Sequence, residues 1–222
     1  MGGFQNQLLN QDFRNNFYNI IITALIKSCK LMTENCRSDK LNIPNHEEKI
    51  RTYLLENYLE NDKVRCMIGL SGVPVRFLPE VPENYDEDSN TYIGRTDIRV
   101  LSSNWFSNAK DYYIVECKRL DGTKFLNKKY VDEGIGRFVG ESPKYSSYNN
   151  RNIMLGFVVK EIDCFVVIHE ISDIHLKRIG SLIDKDITII ENAKDYCLCE
   201  SAYTNHLNLS HIFYDISGVV SS

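Results

Sequence analysis

One run of this sequence constrains any fold it can adopt. From Asp111 the chain reads D-Y-Y-I-V-E-C-K, an apolar β-type run into which Glu116 and Lys118 are set. Successive side chains of a strand point to opposite faces, so Glu116 and Lys118 point the same way and Cys117 points the other. The preceding run, Tyr92 to Val100, holds Asp97 among Ile93, Ile98 and Val100. Pairing of the two runs brings Asp97, Glu116 and Lys118 to one spot. Buried charges persist when they are paired or coordinated. Two carboxylates beside an ammonium at the edge of an apolar sheet therefore suggest a divalent cation, and hard oxygen ligands suit Mg²⁺ or Mn²⁺.

The rest of the chain supplies enough apolar material to build around that spot. It has 222 residues, 43% hydrophobic and 25% charged, which suits one domain with appendages. The net charge of −4 does not mark a nucleic-acid binder, although a local basic patch is enough for one. Seven cysteines, an odd number behind no targeting segment, lead us to expect reduced thiols and a cytoplasmic protein. The longest apolar run, Ile20 to Ile26, falls short of the ~18 residues of a membrane span, so no membrane partner is expected.

Leu8 to Met32 places Leu9, Phe13, Phe17, Ile21, Leu25 and Met32 at a spacing near four, an amphipathic helix that packs on the core or serves as a dimer or partner arm. Residues 1–44 are read as a helical extension and residues 45–222 as the main domain. A second helix, His46 to Glu60, carries Ile50, Leu54 and Tyr58, with Glu47 on the same stripe and Glu48 a quarter turn away. Glu47 serves either the helix dipole or the site. Val64–Leu70 and Val73–Leu78 read as a hairpin about Ser71-Gly72. Pro79 to Asn90, acidic with two prolines, reads as a loop. Trp105 lies in a connector and either caps the core or touches a ligand.

Lys128 to Val139 reads as a helix with Tyr130, Ile135 and Phe138 apolar. Gly134 and Gly136 cost it ~1 kcal/mol each, which suggests a close approach to the sheet or a ligand. Ser142–Arg151 is a loop, and Ile153–Val159 a buried strand. Glu161–Ile179 reads as a helix, with a strand at Val166–Ile168 as the alternative. Thr188–Ile190, Tyr196–Tyr203 and His211–Ile216 read as short strands.

The order of Asp97, then Glu116-Cys117-Lys118, resembles the D…E-x-K core of the PD-(D/E)XK, or restriction-endonuclease-like, nucleases. In that superfamily a helix bearing a Glu precedes the sheet and another helix follows E-x-K, and residues 45 to 160 repeat this order. The resemblance implies an α/β fold with a mixed sheet flanked by helices and a Mg²⁺- or Mn²⁺-dependent endonuclease. Asp97, Glu116 and the Cys117 carbonyl would be its metal ligands, Glu47 an auxiliary carboxylate, and Lys118 the residue that orients or deprotonates water or offsets charge on phosphorus. Many members carry Pro before the Asp, where this chain has Thr96. The segment from Glu116 to Gly140 also resembles small bacterial proteins of this class, some of them from anti-phage loci. This resemblance implies a role in antiviral defence and a phosphate contact at Arg137.

From Glu116 to Arg151, eight cationic residues face five anionic ones, with Tyr130, Tyr145 and Tyr148 interleaved. Such a face suits a phosphate backbone and splayed bases, and it equally describes a solvated helix face. Arg119, Lys128, Lys129, Arg137 and Tyr145 are the candidate nucleic-acid contacts, with DNA expected before RNA. The bland alternative is an ordinary α/β domain in which Glu116 and Lys118 form a salt bridge at a sheet edge. A further one is a non-catalytic subunit that keeps the fold and binds a partner in a larger complex through its first helix. Cys197, Cys199, His206 and His211 lack zinc-type spacing and read as core thiols beside surface histidines. Ser146, Ser147 and His169 show no nucleophile-elbow context, and no phosphate-binding loop or dinucleotide fingerprint is present.

Overall fold

The computed structural model describes residues 3–221 except 103, 104, 106 and 141, with side chains described from Asp12 onward. In chain order the strands are β1 (Val75–Pro79), β2 (Pro82–Asp86), β3 (Thr91–Arg95), β4 (Ile98–Ser102), β5 (Tyr112–Leu120), β6 (Arg151–Val158), β7 (Ile183–Asn192), β8 (Tyr196–Tyr203) and β9 (Asn208–Asp215). The helices are α1 (Gly3–Asp39), α2 (Glu47–Leu54), α3 (Asp62–Arg65), α4 (Lys124–Lys129) and α5 (Cys164–Ile179). A π-helical turn, Leu55–Leu59, extends α2. Another, Tyr130–Gly134, extends α4 and passes into a 3₁₀ turn, Ile135–Arg137.

Seven strands form one mixed sheet in the order β1-β4-β5-β6-β9-β8-β7, and β2 and β3 form a separate hairpin. β5, β6 and β9 are parallel neighbours at the centre, and the outer pairings are antiparallel. β5 and β6 are buried on both faces, which is why each reads as a nearly unbroken apolar run.

Helices cover both faces. On one, Ile21, Leu25, Met32, Ile50 and Leu54 of α1 and α2 pack with Val115, Cys117, Ile153, Leu155 and Ile212. On the other, α5 and the segment after α4 pack Tyr130, Ile135, Phe138 and Ile171 against Ile114, Leu120, Met154 and Phe213. The first helix, read as an extension, thus shares one apolar cluster with the sheet. Phe13 is exposed, and the side chain of Leu9 lies outside the described ones. Trp105 packs at the margin of the second cluster.

The expected hairpin about Ser71-Gly72 is absent, because Val64–Arg65 belongs to α3 and turns follow it. Asn61 caps that helix by accepting from the Lys63 amide at 3.0 Å. The Arg65 guanidinium then donates to the carbonyls of Val73 and Val75, occupying groups that a strand ladder would need. The acidic stretch read as a loop contains β2. Asp86 closes its turn by accepting from Ser89 and the Asp88 amide, and Tyr85 packs edge-on against Tyr92 across the ladder. The run from Tyr92 to Val100 is two strands rather than one. Thr96 bonds the Val81 carbonyl through both its amide and its hydroxyl, so β3 stays with the hairpin while β4 joins the main sheet.

Asp163 caps α5 through the Phe165 amide at 2.9 Å, which fixes Val166–Ile168 as helix. β7 is longer than expected and irregular, with register shifts between Ile183 and Glu191.

Candidate active site

The strand ladder does the positioning. Ile98 lies opposite Val115, so Asp97, one residue before β4, stands beside Glu116. Side-chain alternation sends Cys117 into the α1–α2 face, where it is fully buried. Glu116 is 0% exposed, Lys118 5% and Asp97 8%. The three expected groups therefore meet below the surface.

Each is held by several partners. The Asp97 carboxylate accepts from the Cys117 amide at 2.7 Å through one oxygen and from Arg51 through the other. Lys118 uses all three ammonium protons, to Glu116 Oε1 at 2.6 Å, the Cys117 carbonyl at 2.8 Å and Glu47 Oε1 at 3.2 Å. Glu47 opens α2, and its other oxygen accepts from the Arg119 amide at 3.0 Å. It thus ties the helix start to the end of β5, a role that the dipole reading alone does not give it. Arg137 lies 3.2 Å from Glu116 Oε1, and the Tyr145 hydroxyl 2.8 Å from Oε2.

Burial raises the Glu116 pKa to about 7, with Asp97 pushing the same way and Lys118 and Arg137 pulling against them. Burial also opposes the charge on Lys118, but Glu116, Glu47 and Asp97 outweigh it and raise its pKa above the ordinary value. A lysine held charged is suited to offsetting negative charge and unsuited to abstracting a proton.

Gly134 sits where the segment after α4 crosses this strand. A Cβ there would lie 2.5 Å from Met154 Cε, so the bare backbone lets this segment lie against β6, with Lys118 Cγ at an ordinary 3.4 Å. This is the close approach expected of it. Gly136 has only an ordinary contact, 3.4 Å to the Val131 carbonyl.

The other candidate contacts divide. Arg119 lies at the rim, donating to the carbonyl and side chain of Asn45. Arg137 lies at the site. Lys128, exposed, and Lys129, half-buried, are paired instead with Asp132 and Glu133 one turn on. Tyr145 is 1% exposed, and its hydroxyl is bonded to Glu116, Arg137 and the Arg95 carbonyl. Tyr130 is likewise buried, stacked on Phe213 and bonded to His211. His211 belongs to a buried chain with Ser201 and Tyr203 rather than to the surface, and the nearby Cys197 and Cys199 are buried thiols.

Sequence reasoning missed Arg51, Glu80 and Arg95. Arg51 lies four residues after Glu47 on the same helix face and joins Asp97 to Glu80, 2.6 Å away. Glu80 in turn holds Arg95. A cleft of about 240 Å³ opens beside Asp97, lined by Arg51, Glu80, Gly94, Arg95, Arg137 and Lys144 among others. Among the described residues no group of three or more His, Cys, Asp or Glu side chains is arranged to hold a metal ion. The oxygens of Asp97, Glu116 and the Cys117 carbonyl are nevertheless of the hard type that Mg²⁺ takes, and Mg²⁺ keeps several waters and needs few protein ligands. Arg51, Lys118 and Arg137 supply the positive charge around these oxygens. No protein-family model matches the chain, and neither curated proteins nor solved structures give a match.

Proposed function

We infer that the chain is a Mg²⁺- or Mn²⁺-dependent nuclease that hydrolyses phosphodiester bonds, in DNA before RNA, on a restriction-endonuclease-like arrangement. The observation that carries this is the meeting of Asp97, Glu116 and Lys118 in one buried cluster beside an open, cation-lined cleft. The order of elements supports the fold: a helix bearing Glu47, the strand after Asp97, the strand of Glu116 and Lys118, then a helix.

Asp97, Glu116 and the Cys117 carbonyl would hold the metal, which when bound supplies positive charge at phosphorus and a more acidic water. Lys118 offsets the charge that gathers on phosphorus. Glu47 positions Lys118, and Arg137, beside Glu116, would contact a phosphate oxygen. Plasmid, single-stranded DNA and RNA substrates with Mg²⁺, with EDTA, and with Lys118→Ala test the reading. The expected outcome is cleavage by the wild type, none in EDTA, and a loss of roughly 10²–10³-fold in the variant. Equal cleavage by wild type and variant, or indifference to EDTA, overturns it.

One observation favours a second reading. Both carboxylates are already held by cations, as in a fold braced by buried ion pairs. In that case the chain is a non-catalytic subunit whose partner meets the exposed Phe13 end of α1. Failure to cut any substrate with either metal, together with capture of a defined complex, decides for it.

A further inference from the structure

The cleft beside Asp97 has a composition that the metal-binding carboxylates do not require. Four cationic side chains, Arg51, Arg95, Arg137 and Lys144, line it against two carboxylates, Glu80 and Asp97. The neighbouring Glu116 is balanced by Lys118. The cleft therefore carries an excess of positive charge inside a chain whose net charge is −4.

Its walls are built. Arg51 has a side chain 9% exposed and is fixed by Asp97 and Glu80. Arg137 is fixed by Glu116 and Tyr145. The hairpin wall is pinned to the loop that carries Lys144. Asn84 donates to the Lys144 carbonyl at 2.9 Å and accepts from Ser146 at 2.8 Å, and a Cβ at Gly94 would stand 2.7 Å from that carbonyl. Guanidinium groups in a fixed fork match the oxygens of a phosphate. At about 240 Å³ the cleft lies below the ~300 Å³ at which drug-sized ligand sites begin, so it takes a single phosphate with part of its sugar.

We propose that this cleft is a phosphate subsite that grips a backbone phosphodiester next to the one cut, through Arg51, Arg95, Arg137 and Lys144. The assignment rests on the nuclease reading for its substrate, but binding is measurable without cleavage. The same chemistry would accept a free phosphate or a nucleotide monoester, so the probes must separate these sources.

In EDTA and about 50 mM salt, where backbone contacts are strong, the full chain is titrated with a short oligonucleotide lacking terminal phosphates, with thymidine monophosphate and with inorganic phosphate. The variants are Arg95→Ala/Lys144→Ala, at the cleft's outer wall, and Lys128→Ala, which lies away from it. The expected result is oligonucleotide binding that weakens at least tenfold in the double variant and persists in Lys128→Ala. Circular dichroism and the melting temperature show whether the double variant is folded. If it is not, Lys144→Glu alone serves as the test, with the same loss expected.

Equal oligonucleotide binding by wild type and folded variant, or none by either, overturns the proposal. Binding of monophosphate or inorganic phosphate without the oligonucleotide overturns it too and gives the cleft to a free phosphate. Absence of Mg²⁺-dependent cleavage alongside the expected binding difference removes the nuclease reading and leaves the subsite standing.

Discussion

Glu116 occupies the position where a carboxylate is hardest to keep ionised, since solvent does not reach it and Asp97 adds a like charge. Its pKa of about 7 lies above the ordinary 4.5, so the folded protein holds this proton more tightly than the unfolded chain. The stabilisation is fully present below pH 4.5 and is lost as pH rises to 7, roughly 3 kcal/mol in all. Replacing Glu116 with Gln should flatten the decline of stability over that range in metal-free protein. The difference between wild-type and variant urea-unfolding curves at pH 5 and pH 8 measures it, and parallel pH profiles would refute it. Arg51 bears the complementary burden. Arg51→Met strands the Asp97 carboxylate with the Cys117 amide, at roughly 3 kcal/mol. Mg²⁺ should then raise the melting temperature of this variant more than that of the wild type, because the cation replaces a lost charge. An equal Mg²⁺ shift in both proteins would count against a metal at Asp97. Residues of this kind are unevenly legible in a sequence. Asp97, Glu116 and Lys118 stand out because they interrupt apolar runs and alternation aligns them. Arg51 lies in a helix, Glu80 at a bend and Arg95 at the end of a hairpin strand, where charge normally signals solvent, so only their three-dimensional convergence reveals them.

At the scale of elements, the hairpin of β2 and β3 is the part on which the cleft most depends. Gly94 admits no side chain without moving the backbone of Lys144. Gly94→Ala should therefore cost about 1–3 kcal/mol and weaken oligonucleotide binding, checked by urea unfolding and by titration. An unchanged variant would show that the hairpin and loop can part freely. The β2 half of this hairpin was illegible for a physical reason. Its acidic residues and prolines are those of a loop, while its register depends on Asp86 closing a turn and on one tyrosine pair, both visible only after folding. The central strands show the opposite case. β5 and β6 are buried on both faces, so their unbroken apolar character marks them in any context. The segment Val64–Leu70 misled because a β-rich composition was overridden by the Asn61 cap and by Arg65.

Across the whole molecule, seven mixed strands lie between two helical layers, and no described helix is long and apolar enough to cross a membrane. α1 supplies Ile21, Leu25, Cys29 and Met32, all fully buried, to the cluster beneath β5. Leu25→Ala should cost about 2–5 kcal/mol, and a chain starting at Lys40 should fail to give a cooperative unfolding transition. A folded, cooperative truncation would make α1 dispensable after all. The amphipathic spacing identified this helix, but spacing does not say which surface a helix will cover, so its inclusion in the core needed the packed structure. The sheet switch at Thr96 has a mechanical consequence. One residue separates the last position of the hairpin from Asp97. Because the Glu80 amide also donates to the Asp97 carbonyl at 3.1 Å, the backbone at the base of the hairpin fixes where Asp97 stands.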